Sequence, residues 1–110
     1  MGHDISGINK AGEEIAYARF GMSNYNATIL YSLLEANEYY AGVSGSGGIS
    51  TFSVQQIEKA LEEYKKFFNT KDTTLQNNEP TNWDQRQILQ FIQNCLATAH
   101  KEGSVNVYFG

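Results

Sequence analysis

The last stretch of the chain, Gly103-Ser104-Val105-Asn106-Val107-Tyr108-Phe109, alternates apolar and polar side chains. Val105, Val107 and Phe109 fall on one side of an extended chain, and Asn106 and Tyr108 fall on the other, which is the period of a β-strand. A strand that stands alone exposes an unpaired edge and an apolar row. We therefore expect it to pair with strands from the beginning of the chain, or to lie at the edge of their sheet.

The partner strands are predicted within the first twenty residues. Residues 3–8 and 13–20 each form a short strand, and the polar connection Asn9-Lys10-Ala11-Gly12 has the length of a hairpin loop. Alternation divides the second strand into two faces: Ile15, Tyr17 and Arg19 on one, and Ala16, Ala18 and Phe20 on the other. The small alanine face favours a helix packed closely on the sheet.

Three helices are predicted between the terminal strands. The first covers about 26–37, and the second begins at a capping box formed by Ser53 and Gln56. The third covers about 83–101 and ends at Gly103. The second helix carries one apolar stripe, consisting of Val54, Ile57, Leu61, Tyr64 and Phe68. The pattern of residues 38–43 fits either a short strand or the end of the first helix.

This pattern predicts a single α+β domain over residues 1–110. A small antiparallel or mixed sheet, made of the N-terminal hairpin and the C-terminal strand, carries the three helices mainly on one face. Hydrophobic residues are 41% and charged residues 18% of the 110-residue chain, which is typical of a folded domain.

The charge and the cysteine content exclude several function classes. The formal net charge is −4, and the eight Lys and Arg residues supply no basic face, so long nucleic acid is not an expected partner. One cysteine, Cys95, allows no disulfide within the chain. No apolar run has the length of a membrane span, so we expect a cytoplasmic protein with no membrane contact.

Familiar catalytic and metal-binding patterns do not fit. No lysine follows the glycine-rich stretch as in a phosphate-binding loop, and its serines have the wrong spacing for a nucleophile elbow. The two histidines, His3 and His100, are far apart in the chain and no cysteine or glutamate accompanies either at metal spacing. We therefore predict no catalytic residues, no metal and no cofactor, and whether the chain is an enzyme stays open, with a non-enzyme favoured.

One group of residues suggests a binding site. The stretch Gly42-Val43-Ser44-Gly45-Ser46-Gly47-Gly48 is the most unusual in the chain, and it reads as a flexible polar loop. An arginine beside exposed backbone amides suits a phosphate or carboxylate, and tyrosines suit a planar group. The predicted ligand-binding residues, which could meet at one end of the sheet, are His3, Asp4, Arg19, Tyr39, Tyr40, Ser44, Gly45, Ser46 and Gly47. The alternative is a plain loop beside a structural Asp4–Arg19 ion pair.

Four stretches resemble small bacterial and phage proteins of no named family and no assigned function: Gly2–Gly7, Glu14–Phe20, Glu38–Gly45 and Gly103–Phe109. The resemblance implies a bacterial or phage cytoplasm as the source. It implies no fold, activity or catalytic residue.

Three functions are compatible with these features. The first is a non-catalytic binding module for a small anionic or nucleotide-like ligand, acting as a homo-oligomer. The second is a protein–protein interaction module, such as an inhibitor or accessory subunit, that uses its aromatic side chains. The third is a small enzyme without a recognisable motif.

Overall fold

Four strands form one antiparallel sheet in the computed structural model, which describes residues 2–21, 25–42, 45–72 and 83–110. The strands are β1 (His3–Ile8), β2 (Glu14–Phe20), β3 (Gly48–Ser53) and β4 (Ser104–Phe109). The helices are α1 (Tyr25–Leu33), α2 (Val54–Asp72) and α3 (Trp83–Glu102), and a 3₁₀ turn (Asn37–Tyr39) follows α1. The strand order β2-β1-β4-β3 places the C-terminal strand inside the sheet. The predicted α+β class, and the pairing of the C-terminal strand with the hairpin, are confirmed.

Strand β3 is missing from the sequence prediction, which gave three strands instead of four. Its sequence, Gly-Ile-Ser-Thr-Phe-Ser, contains one glycine and two serines, which have low strand propensity. The strand forms because β4 pairs with it along its whole length, from Gly48 opposite Phe109 to Ser53 opposite Ser104. The paired residues are far apart in the chain, from Ser53 with Ser104 to Gly48 with Phe109, so no local sequence pattern predicts the strand.

The first helix ends earlier than predicted. Glu35 has a φ of 55°, in the left-handed region, and the Ala36 N–H donates to the Tyr31 carbonyl at 2.8 Å. A left-handed residue just after a helix, followed by such a backward hydrogen bond, is a common helix ending. The chain then makes the 3₁₀ turn where the prediction continued the helix.

The helices cover one face of the sheet, as predicted. Helix α3 lies over β2, β1 and β4, and α2 packs beside it next to β3. The floor under α3 is made of small residues: a side-chain Cβ at Gly7 would lie 2.8 Å from the Cys95 Sγ, and Ala16 and Ala18 are buried. Small residues at this position allow the helix to approach the sheet closely.

The predicted beginning of α2 and the predicted end of α3 are also confirmed, whereas α2 continues to Asp72, beyond the predicted start of a loop at residue 69. The Ser53 N–H donates to the Gln56 side-chain oxygen at 2.8 Å, and the Gln56 N–H donates to the Ser53 hydroxyl at 3.2 Å. Gly103 follows α3 with a φ of 91°. The apolar stripe of α2 is centred differently from the prediction, because Ile57 and Ala60 are fully buried while Leu61 is only partly buried.

None of the helices in the described part of the chain is both long and apolar enough to cross a membrane.

Candidate functional site

The predicted site residues lie on two opposite sides of the sheet. His3 and Asp4 are consecutive in β1, so their side chains point to opposite faces. His3 lies on the face that the helices cover, and Asp4 lies on the other face, beside Arg19 of β2. The structure therefore separates the histidine from the acid–arginine pair.

His3 belongs to the core. It is fully buried, its Nδ1 lies 3.0 Å from the Tyr31 hydroxyl, and its Nε2 lies 3.2 Å from the Gly42 carbonyl oxygen. A carbonyl only accepts, so Nε2 carries the proton and Nδ1 accepts from Tyr31. Burial raises the pKa of Tyr31 to about 12, which keeps that hydroxyl protonated as the donor. Both ring nitrogens of His3 are thus occupied by structural hydrogen bonds.

The two neighbouring tyrosines hold the 3₁₀ turn against the sheet. Tyr40 stacks on His3 with ring centres 5.1 Å apart and planes 4° apart. Tyr39 stacks on Phe109 at 4.8 Å, and its ring lies directly over Gly48. Tyr40 keeps 39% of its surface exposed. These rings therefore anchor the segment, and only Tyr40 presents much surface to solvent.

The described residues 45–48 of the glycine-rich stretch, which we call the glycine segment, pack on the end of β4. The N–H groups of Gly45, Ser46 and Gly47 donate to the carbonyls of Gly110, Tyr39 and Phe109, at 2.8, 2.8 and 2.7 Å respectively. Because these amides are already used, they are not free to bind an anion. Ser44, also predicted in the site, lies outside the described residues.

Asp4, Tyr17 and Arg19 form a polar group on the face that the helices leave uncovered. The Tyr17 hydroxyl donates to Asp4 Oδ1 at 2.5 Å, and Arg19 Nε lies 3.6 Å from the same oxygen. The hydrogen bond to Asp4 is the main cause that raises the pKa of Tyr17. The Arg19 side chain is 67% exposed, so this ion pair contributes little to stability and leaves the guanidinium accessible.

The register of the strands brings four residues into one row across this uncovered face. Tyr17 lies opposite Ser6, Ser6 lies opposite Tyr108, and Tyr108 lies opposite Ile49. The exposed fractions are 46% for Tyr17, 37% for Tyr108 and 59% for Ile49. We call this surface, made of the row together with Asp4 and Arg19, the open face.

The predicted site contained none of the four residues of this row. The alternation of β4 separates Tyr108 from the buried Val107 and Phe109, and this signal could have placed Tyr108 on the face of Tyr17. Ile49 gave no such signal, because β3 itself was not recognised. Ile15, predicted on the same face, instead packs against the core, because the register shifts between Gly7 and Ile8 and its Cδ1 lies 3.2 Å from where a Cβ at Gly7 would be.

Other reactive side chains lie away from the open face. Cys95, a residue of α3, is buried between that helix and the sheet. Burial raises the pKa of its thiol to about 12, which makes it a poor nucleophile. His100 lies 3.5 Å from Glu58 between α3 and α2. Among the described residues, no three His, Cys, Asp or Glu side chains lie close enough together to hold a metal ion.

The chain matches no protein-family model, and no curated protein or solved structure matches it. The geometry of the open face is therefore the basis for the functional argument.

Proposed function

We propose that this protein is a non-catalytic interaction module whose open face binds another protein. The observation that carries the proposal is the asymmetry of the sheet. The helices bury one face, while the other face holds the exposed row of Tyr17, Tyr108 and Ile49. Tyrosine is enriched at protein interfaces, because its ring is apolar and its hydroxyl accepts a wet environment.

The arrangement of polarity on the open face supports a protein partner. The apolar row runs through the middle, and satisfied polar groups lie on either side of it. On one side Asp4 accepts the hydrogen bond of the Tyr17 hydroxyl and pairs with Arg19, and on the other side the Thr51 hydroxyl donates to the Asn106 side-chain oxygen at 2.7 Å. An apolar centre with a polar rim is the usual anatomy of a protein interface.

The size of the face indicates a weak complex. Four strands about 4.8 Å apart, each six or seven residues long with a rise of about 3.3 Å, give a face of about 15 by 20 Å. A standard stable interface buries about 800 Å² on each partner, more than twice this area. We therefore expect a transient partner, or one that also contacts surfaces beside the sheet.

Site-specific photo-crosslinking tests the proposal. A photoreactive phenylalanine analogue replaces Tyr108 on the open face, and the matched control carries it at Tyr25, which is 71% exposed on α1. In cells that make the protein, we expect a discrete protein adduct from position 108 and none from position 25. Adding Tyr17→Lys should remove the adduct without lowering the melting temperature. Equal adducts at both positions, or none at either, contradict the proposal.

A small anionic or nucleotide-like ligand is the second candidate. The observation in its favour is that the exposed Arg19 guanidinium shares the open face with two tyrosines. Side chains would have to hold such a ligand alone, since the amides of the glycine segment donate to carbonyls, and Asp4 competes for Arg19. Calorimetry with mononucleotides and cyclic nucleotides tests it: binding that Arg19→Ala abolishes supports this candidate, and no binding by the native protein contradicts it.

A further inference from the structure

The two edge strands of the sheet, β2 and β3, differ in whether the backbone N–H and C=O groups that point away from the sheet have hydrogen-bond partners. Asp4 and Gly110 exchange both backbone hydrogen bonds, at 3.2 and 2.8 Å. Successive residues of a strand form their backbone hydrogen bonds alternately with the strand on one side and the strand on the other. Tyr108 of β4 therefore bonds β1, as Gly110 does, whereas Val107 and Phe109 bond β3. The two residues of β3 that lie opposite Val107 and Phe109 therefore form their backbone hydrogen bonds with β4. Ile49 and Thr51, the alternate residues, direct their N–H and C=O groups outward.

The edge at β2 is protected at Arg19. The Arg19 N–H donates to the Gln87 side-chain oxygen at 3.0 Å, and the Gln87 side-chain nitrogen donates to the Arg19 carbonyl at 3.0 Å. Gln87 of α3 thus occupies the position that a further strand would take. Glu14 and Arg19 also place charges on this edge, which is a common protection against strand pairing.

In the described part of the chain, the edge at β3 has neither kind of protection along residues 48–52. Gly48–Ser53 contains no charged residue and no proline, and Ile49 is 59% exposed. The Ser53 N–H is taken by Gln56. For the outward backbone groups of Ile49 and Thr51, the described part of the chain provides no hydrogen-bond partner. An uncharged edge strand with free backbone groups is a template for another strand.

We propose that β3 pairs antiparallel with β3 of a second copy of this chain, around a two-fold axis at Ser50. In this register Ile49 of each copy lies opposite Thr51 of the other. Two outward residues in each copy then form four N–H···O bonds, so that every outward group of both residues is satisfied. The product is one continuous eight-stranded sheet with all helices on the same side.

The geometry favours a second copy over an unrelated strand. Ile49 and Thr51, which carry the outward groups, are two residues apart. A two-fold axis between them places the N–H and C=O of Ile49 in one copy opposite the C=O and N–H of Thr51 in the other. Cross-strand pairs of two β-branched residues also stabilise a sheet. The net charge of −4 makes two copies repel one another in general, and a strand without charges is where they can approach at least cost. The pairing is independent of what the open face binds.

Sedimentation velocity from micromolar to millimolar concentration, with amide hydrogen exchange at the two ends of that range, tests the proposal. We expect a concentration-dependent dimer, because one strand edge buries less than a standard interface. The Ile49 and Thr51 amides should exchange more slowly at high concentration, and the Tyr17 amide should not change.

Two lysine variants on the same face separate edge pairing from face-to-face docking. Ile49→Lys places a charge on the β3 edge and should abolish the dimer, whereas Tyr17→Lys, the matched control at the β2 edge, should leave it intact. A monomer at all concentrations overturns the proposal, as does a dimer that Tyr17→Lys abolishes and Ile49→Lys does not. If Ile49→Lys does not fold, the native exchange data still decide: a dimer whose Ile49 and Thr51 amides stay unprotected refutes strand pairing.

Discussion

Replacing Gly45 by alanine should destabilise the fold, although a glycine-rich stretch reads as a plain flexible loop. A Cβ at this position would lie 2.6 Å from both the carbonyl carbon and the oxygen of Phe109, and 2.9 Å from the Tyr31 hydroxyl. Ordinary contacts at a Cβ are longer than about 3.4 Å. Phe109 is fully buried in a strand that is bonded on both sides, so the glycine segment must move instead.

The cost follows from the contacts that this movement breaks. Overpacking a tight site costs about 1–3 kcal/mol. Displacing the segment also weakens the Gly45–Gly110 and Gly47–Phe109 backbone bonds, each worth about 1 kcal/mol. The reduced freedom of alanine in the unfolded chain returns about 0.4–1 kcal/mol. We expect a net loss of about 2–3 kcal/mol, and a fall in melting temperature of roughly 10 °C.

Urea titration of the native protein and two variants tests this prediction. Gly21→Ala is the matched control, because its Cβ has no described atom within 4 Å and its φ is not in the left-handed region. The control should be neutral or slightly stabilised. A Gly45→Ala variant within about 0.5 kcal/mol of the native protein would refute the argument, because surface changes typically fall in that range. That result would favour a loose loop whose glycines serve a ligand.

Three further predictions concern the core and the sheet. Ile57→Ala should cost about 2–5 kcal/mol in urea titration and the partly buried Leu61→Ala clearly less, and equal losses would contradict the observed centre of the stripe. Stability should fall with rising pH between 9 and 12, because the unfolded chain ionises Cys95 from its ordinary pKa of 9.0 whereas the folded chain keeps it protonated to about 12. Each such group lowers the free energy of unfolding by about 1.4 kcal/mol per pH unit. Tyr31 adds a second contribution above its ordinary pKa of 10.0. Cys95→Ala should therefore reduce the dependence of the urea-measured free energy of unfolding on pH. Deleting residues 104–110 should unfold the protein, because β4 holds β1 and β3 together, and an unchanged melting temperature after the deletion would contradict this topology.

Local patterns predicted those elements whose structure is determined locally. The alternation of β4, the capping box of Ser53 and Gln56, and the end of α3 at Gly103 each depend on a few neighbouring residues. Strand β3 depends on pairing with β4, and the end of α1 depends on the left-handed Glu35, so neither was predicted. Propensity is a weak guide where tertiary contacts decide.

The predicted binding site combined residues that the alternation of a strand places on opposite faces. His3 and Asp4 were assigned to one strand and also to one site, yet neighbours in a strand point to opposite faces. Applying the alternation strictly leaves Asp4 with Tyr17 and Arg19 and sends His3 into the core, as the structure shows. The alternation gives no information on the amides of Gly45 and Gly47, because their acceptors, the carbonyls of Gly110 and Phe109, lie at the far end of the chain.

The open face and the β3 edge meet at Ile49, and this links the two proposals. One open face of about 15 by 20 Å is small for a stable complex, but pairing at β3 places two such faces side by side in one sheet. A partner that spans both copies would bind the dimer more tightly than the monomer, and by linkage it would strengthen the dimer by the same factor. A partner confined to the row between Tyr17 and Tyr108 would bind monomer and dimer equally. The dependence of partner affinity on protein concentration therefore distinguishes the two arrangements.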